Sequence, residues 1–269
     1  MTFTSKILLT LLIMMIAGLL ISNVIMKKEY DKINKSDIYW NYETVISQPF
    51  KFLRITGGNV SNIAFEQGPK YSVRILNQWK RNFNGGIMAR IDKDTLVVDF
   101  DFKPANQFEK MWMKGATTVR IFAPELLSIE GFDTNLEMFR LKQKTLSVNM
   151  SGRSSFEAES LFPSMDSIHF TAKDSSILVL EMSPEYKPLP TDEKPGAVAF
   201  KLGTDEINST SQPRIRSREA MYIHFAKASL QGYTLLDLGH AQIDSLQLSI
   251  TDSSAIILSG QALKKSARY

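Results

Sequence analysis

The chain has 269 residues, of which 43% are hydrophobic and 22% charged, the balance of an ordinary globular protein and not of a disordered one. Lys and Arg number 32 against 28 Asp and Glu, a net +4 that is too mild for a nucleic-acid binder. The absence of cysteine excludes disulfides, thiolate metal sites and cysteine nucleophiles, though a chain this long buries enough core without cross-links. Basic residues gather only at Arg214, Arg216 and Arg218 and at Lys264, Lys265 and Arg268, without interleaved aromatics, so these read as solvated loop and tail.

The first segment, Ile7 to Met26, is an uncharged run of 20 residues. As a helix it would span roughly 30 Å, one hydrocarbon core. A cleaved signal peptide has a shorter apolar region, about 7–15 residues, ending in small residues. The run's length and the lack of such a site before Lys27 favour an uncleaved signal anchor over residues 1–28. Lys27, Lys28, Lys32 and Lys35 outnumber Lys6 across the run, which by the positive-inside rule favours a cytoplasmic body. Long C-terminal domains translocate despite such charges, so orientation stays open on the residues alone.

Residues 29–49 read as a linker. From Phe50 onward the chain alternates apolar and polar residues, the mark of half-buried strands, as in Phe50–Ile55, Tyr71–Ile75, Thr95–Phe100 and Thr118–Ile121. Asn84-Gly85-Gly86 is a turn signal between two candidate strands, and 106–113 a candidate short helix. No long amphipathic helical pattern occurs in the body, which is therefore mostly β.

A repeat emerges in the second half. Leu146–Gly152, Ile168–Asp174 and Leu246–Asp252 share one pattern, and Tyr222–Ala228 fits it with its apolar positions shifted by one. Asp166-Ser167 and Asp244-Ser245 each lead into a strand followed by Asp-Ser-Ser, at Asp174 and Asp252. A repeat of roughly 20–25 residues built of short strands and small-residue corners predicts a stacked architecture. Leucine-rich repeats lack support, because the Leu-x-x-Leu-x-Leu pattern is missing. The expectation is an all-β, right-handed parallel β-solenoid (β-helix-like) body at 50–262, preceded by one N-terminal transmembrane helix. A β-sandwich remains the alternative. A segment at about 183–218 holds half the prolines of the chain and reads as a loop insertion, with Ala197–Leu202 as one strand inside it and a basic tail at 263–269.

Asp94-Thr-Leu-Val-Val98, followed by Val119-Arg-Ile-Phe-Ala-Pro-Glu-Leu-Leu-Ser-Ile129, resembles the GIN-type "putative autotransporter adhesin head" domain family of Bacteroidetes. The resemblance runs from about 50 to 260 and is most specific around Pro124. It implies β-solenoid coils with serine-glycine corners, an extracytoplasmic body and a binding role without catalysis. Two departures stand out. Only Ser151-Gly-Arg-Ser154 approaches the Ser-Gly corner, with Asp-Ser-Ser elsewhere, and the nine residues after Gly260 leave no room for a barrel.

The histidines His169, His224 and His240 show no metal-ligand spacing. Asp166, Asp174, Asp244 and Asp252 would stack into an acidic row if their coils were adjacent, as a glycosidase pair requires. Asp followed by Ser at a corner more commonly caps backbone N–H groups. Capping is therefore the expectation, and no catalytic, cofactor or metal residue is assigned. Family analogy further marks Thr95, Ser167 and Ser245, each in an Asp-Ser/Thr-aliphatic triplet, as candidate O-glycosylation positions. The functional expectation is a non-catalytic, membrane-anchored envelope module (periplasm or surface), held through Ile7 to Met26 and meeting a protein or glycan, with no nucleic-acid partner. The alternative is a carbohydrate-active β-helix lyase or hydrolase. An envelope-signalling regulator is disfavoured by the six residues before the apolar run.

Overall fold

In a computed structural model, residues 3–82, 86–101, 116–160, 164–182, 221–251 and 253–258 are described. Two compact units separate at residue 42. The first carries α1 (Phe3–Asp31), a 29-residue helix with no buried residue, long and apolar enough to cross a membrane. It contains the predicted Ile7–Met26 run and extends beyond it at both ends.

The second unit is built on strands. β1 (Tyr42–Ile46), β2 (Phe52–Thr56), β3 (Asn62–Gln67) and β4 (Ser72–Leu76) are followed by the one-and-a-half-turn α2 (Asn77–Asn82), then β5 (Ile87–Asp92), β6 (Thr95–Phe100) and β7 (Thr117–Ala123). Ten more strands follow: β8 (Ser128–Phe132), β9 (Asn135–Leu141), β10 (Thr145–Ser151), β11 (Ser155–Ser160), β12 (Ser164–Ala172), β13 (Ile177–Met182), β14 (Tyr222–Leu230), β15 (Leu235–Asp237), β16 (Gln242–Ile250) and β17 (Ala255–Ile257). They form a nine-stranded sheet, β1-β4-β7-β3-β9-β11-β13-β15-β17, and an eight-stranded sheet, β16-β14-β12-β10-β8-β2-β6-β5. β1 thus brings part of the stretch read as linker into a sheet.

From β8 onward the chain alternates between the two sheets, and each strand pairs in parallel with the strand two further along. Inward residues therefore stack in files. Leu146, Ile168, Ala226 and Leu246 stand in one file, and Met150, Ala172, Leu230 and Ile250 in another. All but the two residues of β16 are buried, and the core they join takes in Phe156, Leu178 and Leu236 of the other sheet. Long-range parallel pairing is incompatible with the antiparallel β-sandwich alternative.

Both sheets are nevertheless mixed, which corrects the expectation of a parallel stack throughout. β4 runs antiparallel to β7, and β5 antiparallel to β6. The order is also not sequential: β6 and β7 lie outside β2 and β3, which pair onward with β8 and β9. The Asn84-Gly85-Gly86 turn signal stands between two strands, as expected, though the two do not pair with each other. Residues 84 and 85 lie outside the described set, but the strands on either side, β4 and β5, belong to different sheets with α2 between them. Trp79 of α2 is 1% exposed and belongs to the same core as the strands on either side. The hairpin is instead β5–β6, turning at Lys93 with φ of 56°. The candidate helix at 106–113, the insertion at about 183–218 with its Ala197–Leu202 strand, the three-arginine cluster, Asp252 and the tail at 263–269 all lie outside the described residues.

The corners that turn β8 into β9, β10 into β11, β12 into β13 and β14 into β15 pass through a left-handed residue each: Asp133 (φ 51°), Gly152 (φ 70°), Asp174 (φ 66°) and Gly232 (φ 76°). Glycine reaches this region freely, and aspartate is among the few other residues that do. The two types alternate for a steric reason. Arg153 N–H donates to Asp133 Oδ1 at 2.7 Å, and Gly152 N–H donates to Asp174 Oδ2 at 3.0 Å. The Gly152 corner is thus held by carboxylates from both neighbours. A Cβ on Gly152 would stand 2.4 Å from Asp133 Oδ1, and one on Gly232 would stand 2.8 Å from the Asp174 carbonyl oxygen. Beneath the corners runs a file of buried hydroxyls, Thr134, Ser154, Ser176 and Thr234. Ser154 Oγ accepts from Thr134 N–H and donates to the Ser151 carbonyl, Ser176 Oγ donates to the Lys173 carbonyl, and Thr234 Oγ1 donates to Ser254 Oγ.

Gly152→Ala combines a left-handed Cβ with displacement of the Asp133 carboxylate. It should cost about 2 kcal/mol and lower Tm by roughly 4–8 °C. Thermal unfolding followed by circular dichroism checks this, and an unchanged midpoint would remove the interlocked-corner account.

Candidate functional site

Asp-Ser turns out to have two structural meanings in this chain. Asp174-Ser175-Ser176 is a corner and caps backbone, as expected. Asp166-Ser167 and Asp244-Ser245 are not corners: they lie inside β12 and β16, nine-residue strands that begin before the apparent repeat. The N–H groups of Asp166 and Ser167 both donate to the Lys144 carbonyl, at 2.9 and 3.3 Å. Two residues facing one partner make a bulge, which turns two consecutive side chains outward. Met165 and Ile168 on either side are fully buried.

The bulge recurs in each following coil. Met165 is in register with Ile223 and Ile243, and Ser167 with Phe225 and Ser245. Asp166, His224 and Asp244 therefore lie at one level across three adjacent strands, with Ser167, Phe225 and Ser245 at the next. Sequence reasoning misaligned this file by matching Tyr222 to Ile168, whereas Tyr222 pairs with Ser164 and Ile168 with Ala226. The apolar-outward-outward-apolar tetrads Met165–Ile168, Ile223–Ala226 and Ile243–Leu246 carry the signal that would have set the register.

The patch is a mixture of rings and carboxylate. Asp244 accepts the Tyr222 phenol proton on Oδ1, and its Oδ2 lies 3.1 Å from His224 Nδ1. The Tyr222 and His224 rings meet edge-on with centroids 5.2 Å apart, and His169 meets Phe225 in the same manner at 5.7 Å. The side chains of His224 and Asp244 are 54% and 42% exposed, so the constellation faces solvent. Asp166 lies 3.9 Å from Lys144 Nζ. Tyr222 and Phe225 had no sequence signal of their own.

The other sequence candidates do not join this patch. Thr95 lies in β6 opposite Phe52, several strands away, and His240 is exposed in the turn between β15 and β16. Asp166 and Asp244 are separated by β14, with His224 between them, and Asp174 is at the corner; the described aspartates form no continuous acidic row. Among the described residues, no group of three or more His, Asp or Glu side chains could hold a metal ion.

Comparisons with known proteins bear on the fold only weakly. No family model matches the chain, and no curated protein matches it. Among solved structures it is similar to a "putative adhesin" from Bacteroides fragilis, at 14% identity and a TM-score of 0.42, over 81% of this chain and 96% of that one. A "putative adhesin" from Parabacteroides merdae is 10% identical with a TM-score of 0.34, over 81% and 95% of the two chains. A "putative lipid binding protein" from Parabacteroides distasonis is 11% identical with a TM-score of 0.28, over 84% and 98%.

The hydrogen bond from Tyr222 to the Asp244 carboxylate, followed by desolvation and the nearby negative charge, pushes the phenol above its ordinary pKa of 10.0. The sign follows from the proton: the bond exists only while the phenol keeps it, so it is intact below the ordinary tyrosine value and lost as pH rises through the higher folded value. Alkaline difference titration of phenolate absorbance between the wild type and Tyr222→Phe should place Tyr222 above an unperturbed tyrosine. Asp244→Asn should return it toward the ordinary value; no change on that substitution would break the assignment.

Proposed function

We propose that this chain is a non-catalytic envelope protein, anchored through α1, whose stacked coils act as a right-handed β-solenoid scaffold for binding at the outer face of the eight-stranded sheet. The observation that carries the reading is the outward bulge file on β12, β14 and β16. It sets Tyr222, His224, Phe225, His169 and Asp244 on one flat surface.

The chemistry of this surface suits a glycan. Ring faces pack against the C–H faces of sugars, and a carboxylate and imidazoles accept or donate hydrogen bonds to hydroxyls. Around the rings the face is polar, with Asn149, Thr171, Ser229 and Ser249 in one register file and Ser147, His169, Lys227 and Gln247 in the neighbouring one. The catalytic alternative receives no support from the aspartates. Asp174 and Asp133 are engaged by backbone N–H groups, Asp244 by Tyr222 and His224, and Asp166 is placed beside Lys144. A glycoside hydrolase requires a carboxyl held in reserve near a second one.

Glycan-array screening of the intact protein should find a bound oligosaccharide. Tyr222→Ala and Asp244→Ala should each weaken that binding by about tenfold, roughly 1.4 kcal/mol, while far-ultraviolet circular dichroism stays unchanged. Binding that survives both substitutions would move the site elsewhere.

Ser245 is exposed and Ser167 half-buried on this same face, and Thr95 is half-buried in β6. Within the proposal these three remain O-glycosylation positions. The intact mass of protein isolated from its native envelope should exceed the chain mass, and the excess should fall on substituting the three hydroxyls with alanine. Equality with the chain mass would eliminate the modification.

A further inference from the structure

We infer that Tyr30, Ile38 and Trp40 form a collar seated in the headgroup–acyl boundary of the bilayer that α1 spans, an inference that rests on the anchoring read above. The 20-residue apolar run of α1 fills the roughly 30 Å hydrocarbon core. The remaining residues, Lys27 to Asp31, carry the helix about 7 Å further, the depth of one interfacial layer. Tyr30 therefore stands at headgroup level.

The chain does not leave that level directly. Lys32 N–H donates to the Glu29 carbonyl, Ile33 to Tyr30, Asp37 to Asn34, Trp40 to Asp37 and Tyr42 to Tyr39. Asn34 and Asp37 fix the turns with side-chain oxygens that accept from Ser36 N–H at 3.1 Å and Tyr39 N–H at 2.9 Å. A chain that turns repeatedly covers little of the roughly 3.3 Å per residue an extended one would. It holds residues 32–42 close to the end of the helix.

What the turns present is apolar and aromatic. Ile38 is 75% exposed, Tyr30 57% and Trp40 53%, continuous in the chain with a helix that has no buried residue. Trp and Tyr favour the membrane interface because each offers a ring to the acyl side and a polar tip to the wet side. The flanking Lys27 and Lys28 are exposed, long enough to lay their stems along this surface and lift their ammonium groups to the phosphates, while Lys32 pairs with Glu29 at 2.6 Å. The Lys35 ammonium lies 4.3 Å from the centroid of the Tyr30 ring, an aromatic–cation pair suited to that boundary.

The test uses the full chain reconstituted into phosphatidylcholine vesicles, with and without acyl chains brominated near the headgroup. Emission of the wild type minus that of Trp40→Phe isolates Trp40 without touching the core residue Trp79. Brominated lipid should quench this difference signal by roughly half or more and leave it shielded from aqueous acrylamide. A difference signal quenched by acrylamide and untouched by bromine overturns the collar. Flotation of the same vesicles separates the two readings: a chain that floats while Trp40 stays aqueous keeps its anchor and loses the collar. A chain that fails to float loses both.

Discussion

The carboxylates of Asp133 and Asp174 close from either side on the Gly152 corner, and the stacking of these three successive corners depends on that contact. A parallel strand pair cannot be joined by a tight hairpin, so each coil must cross to the opposite sheet and return. Every crossing leaves corner N–H groups that neither sheet satisfies. Aspartate in a left-handed conformation meets both demands, because it bends the chain and offers an acceptor to a neighbouring coil, as Asp133 does to the one after it and Asp174 to the one before. It works only against a neighbour without a side chain, which is why glycine and aspartate alternate. Beneath, Ser154 and Ser176 of the buried hydroxyl file donate to the Ser151 and Lys173 carbonyls that the bend turns inward.

With the corners in register, the strands are in register, and the outward face inherits their order. The bulge at Asp166-Ser167 would be a local irregularity on one strand. Repeated at His224-Phe225 and Asp244-Ser245 it becomes a file of paired outward residues, doubling the density of side chains on a flat surface. That density lets Tyr222, His224 and Asp244 touch one another while remaining exposed. The outward patch is thus a product of the stacking rule, placed on the scaffold without breaking its core.

Identities of 10–14% and TM-scores of 0.28–0.42 leave the ligand to be argued from this chain's own residues. The anchor and the body also differ in what holds them. α1 has no buried residue, whereas the body carries its own core of Phe65, Phe156, Phe170 and their neighbours.

Much was legible in the residues alone. The apolar run, the mostly β body, the recurring strand pattern of the second half and the capping role of Asp174 all follow from local pattern, since hydropathy, alternation and turn chemistry act over a few residues. Register was not legible, because apolar alternation tolerates a shift that only cross-strand pairing resolves; Tyr222 was misplaced for that reason. The antiparallel β4 and β5, and the placing of β6 and β7 outside β2 and β3, depend on which buried surfaces find each other across long stretches of chain. The meeting of Tyr222, His224 and Asp244 is of the same kind. Sequence supplied the alternation and the corners, and tertiary packing decided which side chains those corners would bring together.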